Sequence, residues 1–396
     1  MIKVGLIGTG SRGVSLAGQI NKIKKSKIIA LADVNSVRLN EAASDLGVSE
    51  KNCFQDYNDL LDIEEIDGVI IATPDYQHFE PAVAAIAAGK HVYCEKAMTA
   101  RISKSTELVE KAKNNDQVFY VGHNVRFMSA ANKLHQLITD GELGRVQMVW
   151  ARRFVQGAKY WHRWHRYQDK SGGLLVHKGA HFLDQLNWNS GSRPAAVTAF
   201  GGLDVFQGKE DAPRRCKDCD ITDECPYNWN IEEGKPRRYY LQAEKEDGYI
   251  WDTCIYYPGS DVFDNATVMV KYENGVRGTY MECHFSPFHD EDSEIGAIGN
   301  KGMGLAYIQQ NKVVLKKKDP EEKHEITLPE KKGGHGGADY LIISDFLDCI
   351  EKGCTPESDV TAGWDSAVLG RLAQKSANNE GRLFSINPGE YKYEKK

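Results

Sequence analysis

An α/β architecture is predicted: a doubly wound parallel sheet at the N-terminus, followed by an α+β domain on a largely antiparallel sheet. Three observations predict it. Strand and helix patterns alternate up to residue 122, a Gly-x-Gly-x-x-Gly run follows the first strand, and the pattern then changes to long alternating stretches. At 396 residues the chain exceeds what one compact core usually holds, so two domains are expected, residues 1–122 and 123–396.

Residues 2–7 form a short apolar strand, and residues 15–23 read as the first helix. Residues 28–32 are a second strand ending at Asp33, and 37–46 are a helix. Residues 69–72 make a strand stopped by Thr73-Pro74. An Ala-rich helix at 79–88 closes on Gly89, followed by a strand at 91–94, a helix at 104–114 and a last strand at 118–121. Strands separated by helices of this length imply right-handed βαβ units and a parallel sheet. Beyond 122, residues 130–139 and 175–188 look helical, and 146–154 look like a strand. Residues 197–206, 267–285 and 304–316 alternate, and Asn274-Gly275 between apolar runs signals a hairpin. Residues 331–337 read as a surface loop leading to a helix at 340–350.

Hydrophobic residues are 41% and charged residues 27% of the chain, a composition that excludes a disordered or fibrous protein. The formal charge of −6 argues against nucleic-acid binding, which needs a basic face. No apolar run approaches the roughly 20 residues that span a bilayer, and the N-terminus runs straight into a strand without a leader pattern. Nine cysteines, with Cys53, Cys94, Cys254, Cys283, Cys349 and Cys354 scattered, suit a reducing compartment. A cytoplasmic protein is expected.

The glycine run is Gly8-Thr9-Gly10-Ser11-Arg12-Gly13. Between a strand and a helix, the glycines allow a tight turn and close approach of a pyrophosphate, and the helix N-terminus supplies N–H donors. Asp33 ends the second strand, where a carboxylate accepts hydrogen bonds from a ribose diol and repels a 2′-phosphate. Residues 1–122 are therefore read as a Rossmann dinucleotide-binding domain that takes NAD in preference to NADP. Glu95 and Lys96 close the strand at 91–94, at the carboxyl end where ligands bind. A lysine there can hold a hydroxyl oxygen and relay its proton, and the glutamate can hold ribose hydroxyls or tune the lysine.

At this point the chain resembles the Gfo/Idh/MocA family, relatives of glucose-fructose oxidoreductase and inositol dehydrogenase. The resemblance rests on the glycine run, Ala72-Thr73-Pro74 with His78, Cys94-Glu95-Lys96, and Gly122-His123-Asn124-Val125-Arg126-Phe127. It continues into Gly172-Gly173-Leu174 with His181 and Asp184. It implies a C-terminal domain on a large open mixed sheet, a nicotinamide cofactor, oxidation of a sugar or polyol alcohol, and oligomers formed through that sheet. It also implies that Thr73, Pro74, His78 and Asn124 border the cofactor, that Arg126 and Asp184 border the substrate, and that His181 is catalytic. The chain departs from the pattern twice. Ala97 stands where proline is usual, and His177 stands where an aspartate is usual, four residues before His181.

His177, His181 and Asp184 fall on one helical face by i, i+4 and i+7 spacing. For His177 three readings stay open: a substrate-binding or acid/base pair with His181, a satisfied core polar group, and a metal site. The segment from Arg152 to Arg166 crowds aromatics with Arg and His, so Trp161, His162, Arg163 and His165 are candidate substrate contacts. A core edge or an interface is the alternative. Cys216, Cys219 and Cys225 have a Cys-x2-Cys-x5-Cys spacing that suits a structural zinc or a set of free thiols. His335 is a further candidate for the substrate pocket, and Asp339 serves either that pocket or the start of the next helix. The expected activity is hydride transfer from a secondary alcohol of a sugar, polyol or glycoside to NAD, with Lys96, His181 and His177 as the catalytic set. The alternatives are a redox-neutral glycosidase that keeps its NAD and a non-catalytic NAD sensor.

Overall fold

The computed structural model describes residues 1–287, 293–331 and 333–386. Residue 332 of the loop expected at 331–337, and the tail 387–396 of the expected second domain, lie outside them. The first unit comprises β1 (Ile2–Ile7), α1 (Ser11–Ile20), β2 (Ser26–Ala32), α2 (Ser36–Leu46), β3 (Cys53–Phe54), α3 (Tyr57–Leu61), β4 (Gly68–Ile71), α4 (Phe79–Ala87), β5 (His91–Cys94), α5 (Ile102–Lys113) and β6 (Phe119–Val121). All its strands pair in parallel, in the order β3-β2-β1-β4-β5-β6. The order reverses between β1 and β4, which opens a crevice at their carboxyl ends. Val4, Leu6, Val69, Ile70 and Ile71 are fully buried, as apolar strands covered on both faces require. β3 and α3 are too short for periodicity to announce. α1 starts four residues earlier than expected, because Gly10 is its N-cap and the glycine loop is its first turn.

The second unit continues with α6 (Ser129–Thr139), β7 (Val146–Phe154), α7 (Gln168–Ser171), α8 (Leu174–His177), α9 (Gly179–Ser190) and β8 (Pro194–Gly202). An excursion over residues 203–264 carries α10 (Gly234–Pro236) and α11 (Glu244–Asp247). Then come β9 (Asn265–Tyr272), β10 (Arg277–Cys283), β11 (Glu294–Gly299), β12 (Gly302–Tyr307), β13 (Lys312–Lys318), β14 (Glu321–Thr327), α12 (Ala338–Lys352), α13 (Val360–Ala377) and β15 (Phe384–Ser385). Nine strands form one open sheet, β14-β13-β12-β11-β7-β10-β9-β8-β15, antiparallel except for the β7–β10 pair. The expected hairpin joins β9 to β10, with Gly275 at φ +88°. Helices α9 and α13 pack on one face. The other face leaves Met148, Phe200, Met269, Met281 and Ile298 exposed.

Two features depart from the sequence reading. The helix expected at 175–188 is broken at Lys178, and the carbonyl of His177 accepts a 2.8 Å hydrogen bond from Lys96 Nζ. The excursion after β8 also leaves its own sheet. Its Ile231, Tyr239, Tyr240 and Trp251 bury into the same apolar cluster as Val4, Leu6 and Ile20 of the first unit.

Candidate active site

The glycine loop is built for close approach. Gly8 has φ +92°, and a Cβ there would meet the Thr73 nitrogen at 2.7 Å; a Cβ on Gly13 would meet the Gly8 oxygen at 2.0 Å. Thr9 is fully buried and sits behind the wall of the cleft. Its amide and hydroxyl donate to Asp33 Oδ2 at 2.9 and 3.1 Å, so it orients Asp33 instead of facing a ligand. Arg38, which sequence reasoning missed, reaches Asp33 at 3.3 Å and Asp247 of the excursion at 2.7 Å. The Arg38 guanidinium is thereby neutralised by two carboxylates.

A cavity of about 970 Å³ runs from this loop across the crevice. Its lining includes Gly8, Gly10, Ser11, Arg12 and Asp33 of the nucleotide loop and second strand, together with Thr73, Pro74, Glu95, Lys96, Asn124, Arg163, His165, His177, His181 and His335. Six buried polar atoms of the residues lining it have no hydrogen-bond partner: Thr73 Oγ1, Asn124 Oδ1, Arg163 Nε, His165 Nδ1, Arg166 Nε and His181 Nδ1. Buried polar atoms are rarely left unpaired, so these fit a nucleotide and a hydroxylated ligand that would satisfy them. When bound, NAD supplies a hydride acceptor.

Lys96 leaves β5 on the cavity wall, and its peptide bond to Ala97 is cis. Burial, with help from the charge of Lys178, pulls its ammonium down to about 8. Glu95 accepts from Arg12 at 3.0 Å, and Arg12 also donates to Asp339 at 2.8 Å. Asp339 takes further bonds from Asn124 at 3.0 Å and His335 at 3.0 Å. Burial alone would raise this carboxyl, yet His335 and Arg12 hold it well below the usual range. It thus ties the start of α12 to the crevice.

The main surprise is Asp75. His177 replaces the aspartate of the family pattern, but its ring is not left without a carboxylate: Nδ1 lies 2.7 Å from Asp75 Oδ2. Asp75 follows Thr73-Pro74 at the carboxyl end of β4 and is 3% exposed. Burial raises the Asp75 carboxyl well above its usual range, against the pull of Lys96. Burial and Lys96 push His177 well below its own. Neither partner favours a bare charge, and the contact holds one proton between them. With Nδ1 engaged, Nε2 is the nitrogen the ring offers to the cavity. His165 lies against His177, ring centroids 4.3 Å apart, and stacks on Trp164 at 3.9 Å. His165 and His181 are also held well below the ordinary imidazole range, first by burial and then by neighbouring Arg163 and Lys96 respectively. The site groups three imidazoles round Lys96, and burial disfavours the charged form of each of the four groups.

Several expected contacts lie elsewhere. The break at Lys178 ends the simple i, i+7 alignment, and Asp184 turns into the interior. There it accepts from Arg126 at 2.8 and 2.6 Å, and both are buried away from the cavity. His78 braces two loops, with Nδ1 and Nε2 each 2.8 Å from the carbonyls of Ala97 and Thr73. Trp161 is fully buried on Phe206 and His284, and His162 sits 2.7 Å from the Thr253 carbonyl. All nine cysteines are free. Among the described residues no group of three or more His, Cys, Asp or Glu side chains is arranged to hold a metal ion, Cys216, Cys219 and Cys225 included. Sequence reasoning missed Asp75, although its place just beyond a parallel strand was a usable signal. It also missed Tyr240, Tyr249 and Trp251, which line the cavity from the distant excursion.

The parallel sheet, the glycine loop and the joined cavity define an NAD-binding oxidoreductase. The chain belongs to the Gfo/Idh/MocA family: residues 2–123 match "Oxidoreductase family, NAD-binding Rossmann fold", and residues 135–383 match "Oxidoreductase family, C-terminal alpha/beta domain". It is 27% identical over 344 residues to the putative oxidoreductase YteT of Bacillus subtilis, a match covering 79% of this chain and 78% of that one. Its match to the 2,7-anhydro-N-acetylneuraminate hydratase of Mediterraneibacter gnavus is 29% identical over 205 residues and spans about half of each chain (52% and 53%). The solved structure of levoglucosan dehydrogenase in complex with NADH and levoglucosan shares the fold, with a TM-score of 0.75, 18% identity, and coverage of 97% of this chain and 99% of that one.

Proposed function

We propose that the protein oxidises a secondary alcohol of a sugar, polyol or glycoside, with hydride passing to bound NAD. The observation that carries this reading is the meeting, in one cavity, of a dinucleotide loop with Lys96, His181 and the Asp75–His177 pair. Lys96 holds the substrate oxygen and takes its proton. His181 orients the carbinol, and His177, held by Asp75, passes the proton onward. His165, Arg163 and His335 supply hydrogen bonds to neighbouring hydroxyls. Loss of hydride from carbon and of a proton from oxygen leaves a ketone and NADH. A panel of polyols, aldoses and glycosides, read at the NADH absorbance band and for released aglycone, tests this. Equimolar NADH supports a dehydrogenase, and turnover of no member would leave a sensor.

A second reading keeps the same first step but returns the hydride after elimination or water addition, giving net cleavage or hydration. The hydratase names carried by two relatives favour it. It predicts product without added NAD and without accumulated NADH.

Asp33 and Asp247 both border the nucleotide end, which favours NAD over NADP. Calorimetry should show tighter binding of NAD, and Asp33→Ala should narrow the gap; equal affinities in the unmodified protein would contradict the assignment.

The exposed face of the second sheet supports a homo-oligomer. Met148 and Ile298 pair across β7–β11 and join Met269, Met281 and Phe200 on an exposed face. Sedimentation should find a dimer or larger, and Met269→Lys with Ile298→Lys should yield monomers. A monomeric unmodified protein at micromolar concentration rules this interface out.

A further inference from the structure

The excursion between β8 and β9 meets the nucleotide end of the cavity at several points. The Tyr240 hydroxyl accepts a 2.9 Å hydrogen bond from the Ser11 amide and lies 2.9 Å from Ser11 Oγ. That amide opens α1, where an anion would find its donors. The Tyr240 ring stacks on Trp251 at 4.1 Å, and the Arg163 guanidinium lies 3.7 Å over the other partner of that stack, Trp251. Asp247 reaches the ribose end through Arg38 and Asn35, at 2.7 and 3.1 Å.

Outside the cavity, the same segment is fastened to α2. Arg238 donates to Glu41 at 2.6 Å and to Asp45 at 2.9 Å. Glu246 accepts from the Ser36 amide at 2.7 Å. A loop that merely crossed the surface would not bring tyrosine, tryptophan and carboxylate to several points of the nucleotide end while anchoring itself beyond it.

We propose that residues 234–251 complete the dinucleotide site as a strap, with Tyr240 meeting the pyrophosphate and Asp247 guarding the adenosine ribose, so that the nicotinamide stays bound between turnovers. This rests on the NAD assignment and deepens the proposed function. A resident cofactor reduced by one substrate has to be reoxidised in place. The hydride and the proton taken from the carbinol return to a carbonyl, either that of the same substrate after elimination or water addition, or that of a second compound of the same class. Cofactor retention under the strap is compatible with the second reading above, and the NADH yield of the substrate panel decides between the two cycles.

The test measures the cofactor itself, so it separates from any failure to find a substrate. NAD per protomer is extracted after desalting, and NADH release is followed by its fluorescence during a chase with excess NAD. The unmodified protein should retain near-stoichiometric NAD. Tyr240→Phe, which removes one hydrogen-bonding group, should speed release roughly 3- to 10-fold. Arg238→Ala with Glu246→Ala, which touches only the anchors, should speed it by a similar factor without a matching fall in melting temperature. The proposal is overturned if the unmodified protein loses its NAD on desalting, or if Tyr240→Phe releases NADH at the unmodified rate. An anchor variant that lowers only the melting temperature would also overturn it, because the segment would then be structural packing.

Discussion

Lys96→Met lowers turnover by about 10²–10⁴-fold, the range for loss of a positioned acid or base, while the protein becomes more stable. Both halves follow from one feature. The ammonium is held at about 8 by burial first and the charge of Lys178 second. Below that value the lysine is charged in both the folded and unfolded chain, and its burial is a full penalty; above its unfolded value near 10.5 the penalty is gone. A displacement of this size costs about 3 kcal/mol at neutral pH. Methionine keeps the stem and removes the charge, so thermal melting at pH 7 should shift upward as activity falls. Turnover of the unmodified protein should climb as pH rises through about 8, where the amine becomes able to accept the hydroxyl proton. The variant should lack that limb. A structural lysine would give the opposite result, with lower stability and activity largely kept.

Asp75→Asn should lower turnover by about 10²–10⁴-fold with NAD affinity near that of the unmodified protein. The substitution is isosteric, so the packing around β4 survives, but the amide cannot hold His177 in the same proton arrangement across the 2.7 Å contact. His177→Ala should produce a similar loss, and the double variant should be no worse than either alone, because the two side chains act as one unit. Calorimetry for NAD and steady-state kinetics check it. Additive losses would show that Asp75 and His177 work separately. Activity kept with stability lost would make the pair a buried structural contact.

The first sheet and its cofactor loop were legible because they obey local rules. An apolar strand, glycines at fixed spacing, and a carboxylate at the end of β2 leave few alternatives. Lys96 was legible from its place at a strand end, and His181, with His177 four residues before it, from the family resemblance. The partner of His177 was not, since Asp75 is 102 positions away in sequence and only the packing of α8 against the loop after β4 joins them. Spacing also misplaced Asp184, because an unbroken helix was assumed and the chain breaks at Lys178, where Lys96 bonds the freed carbonyl. Tyr240 and Trp251 lie in a charged stretch without strand or helix period, and nothing local in it announces a contact with Ser11. Trp161 and His162 have the composition of a sugar site, but they pack beneath it.

Hydride transfer at this cavity is tested most directly by rapid mixing of NAD-loaded protein with the polyol, aldose and glycoside panel, followed at the reduced-nicotinamide band. At least one hydroxylated compound should raise that band in the unmodified protein and leave it flat in Lys96→Met. No reduction with any compound, or an equal rise in the Lys96→Met variant, would contradict a carbinol oxidation in which Lys96 takes the proton.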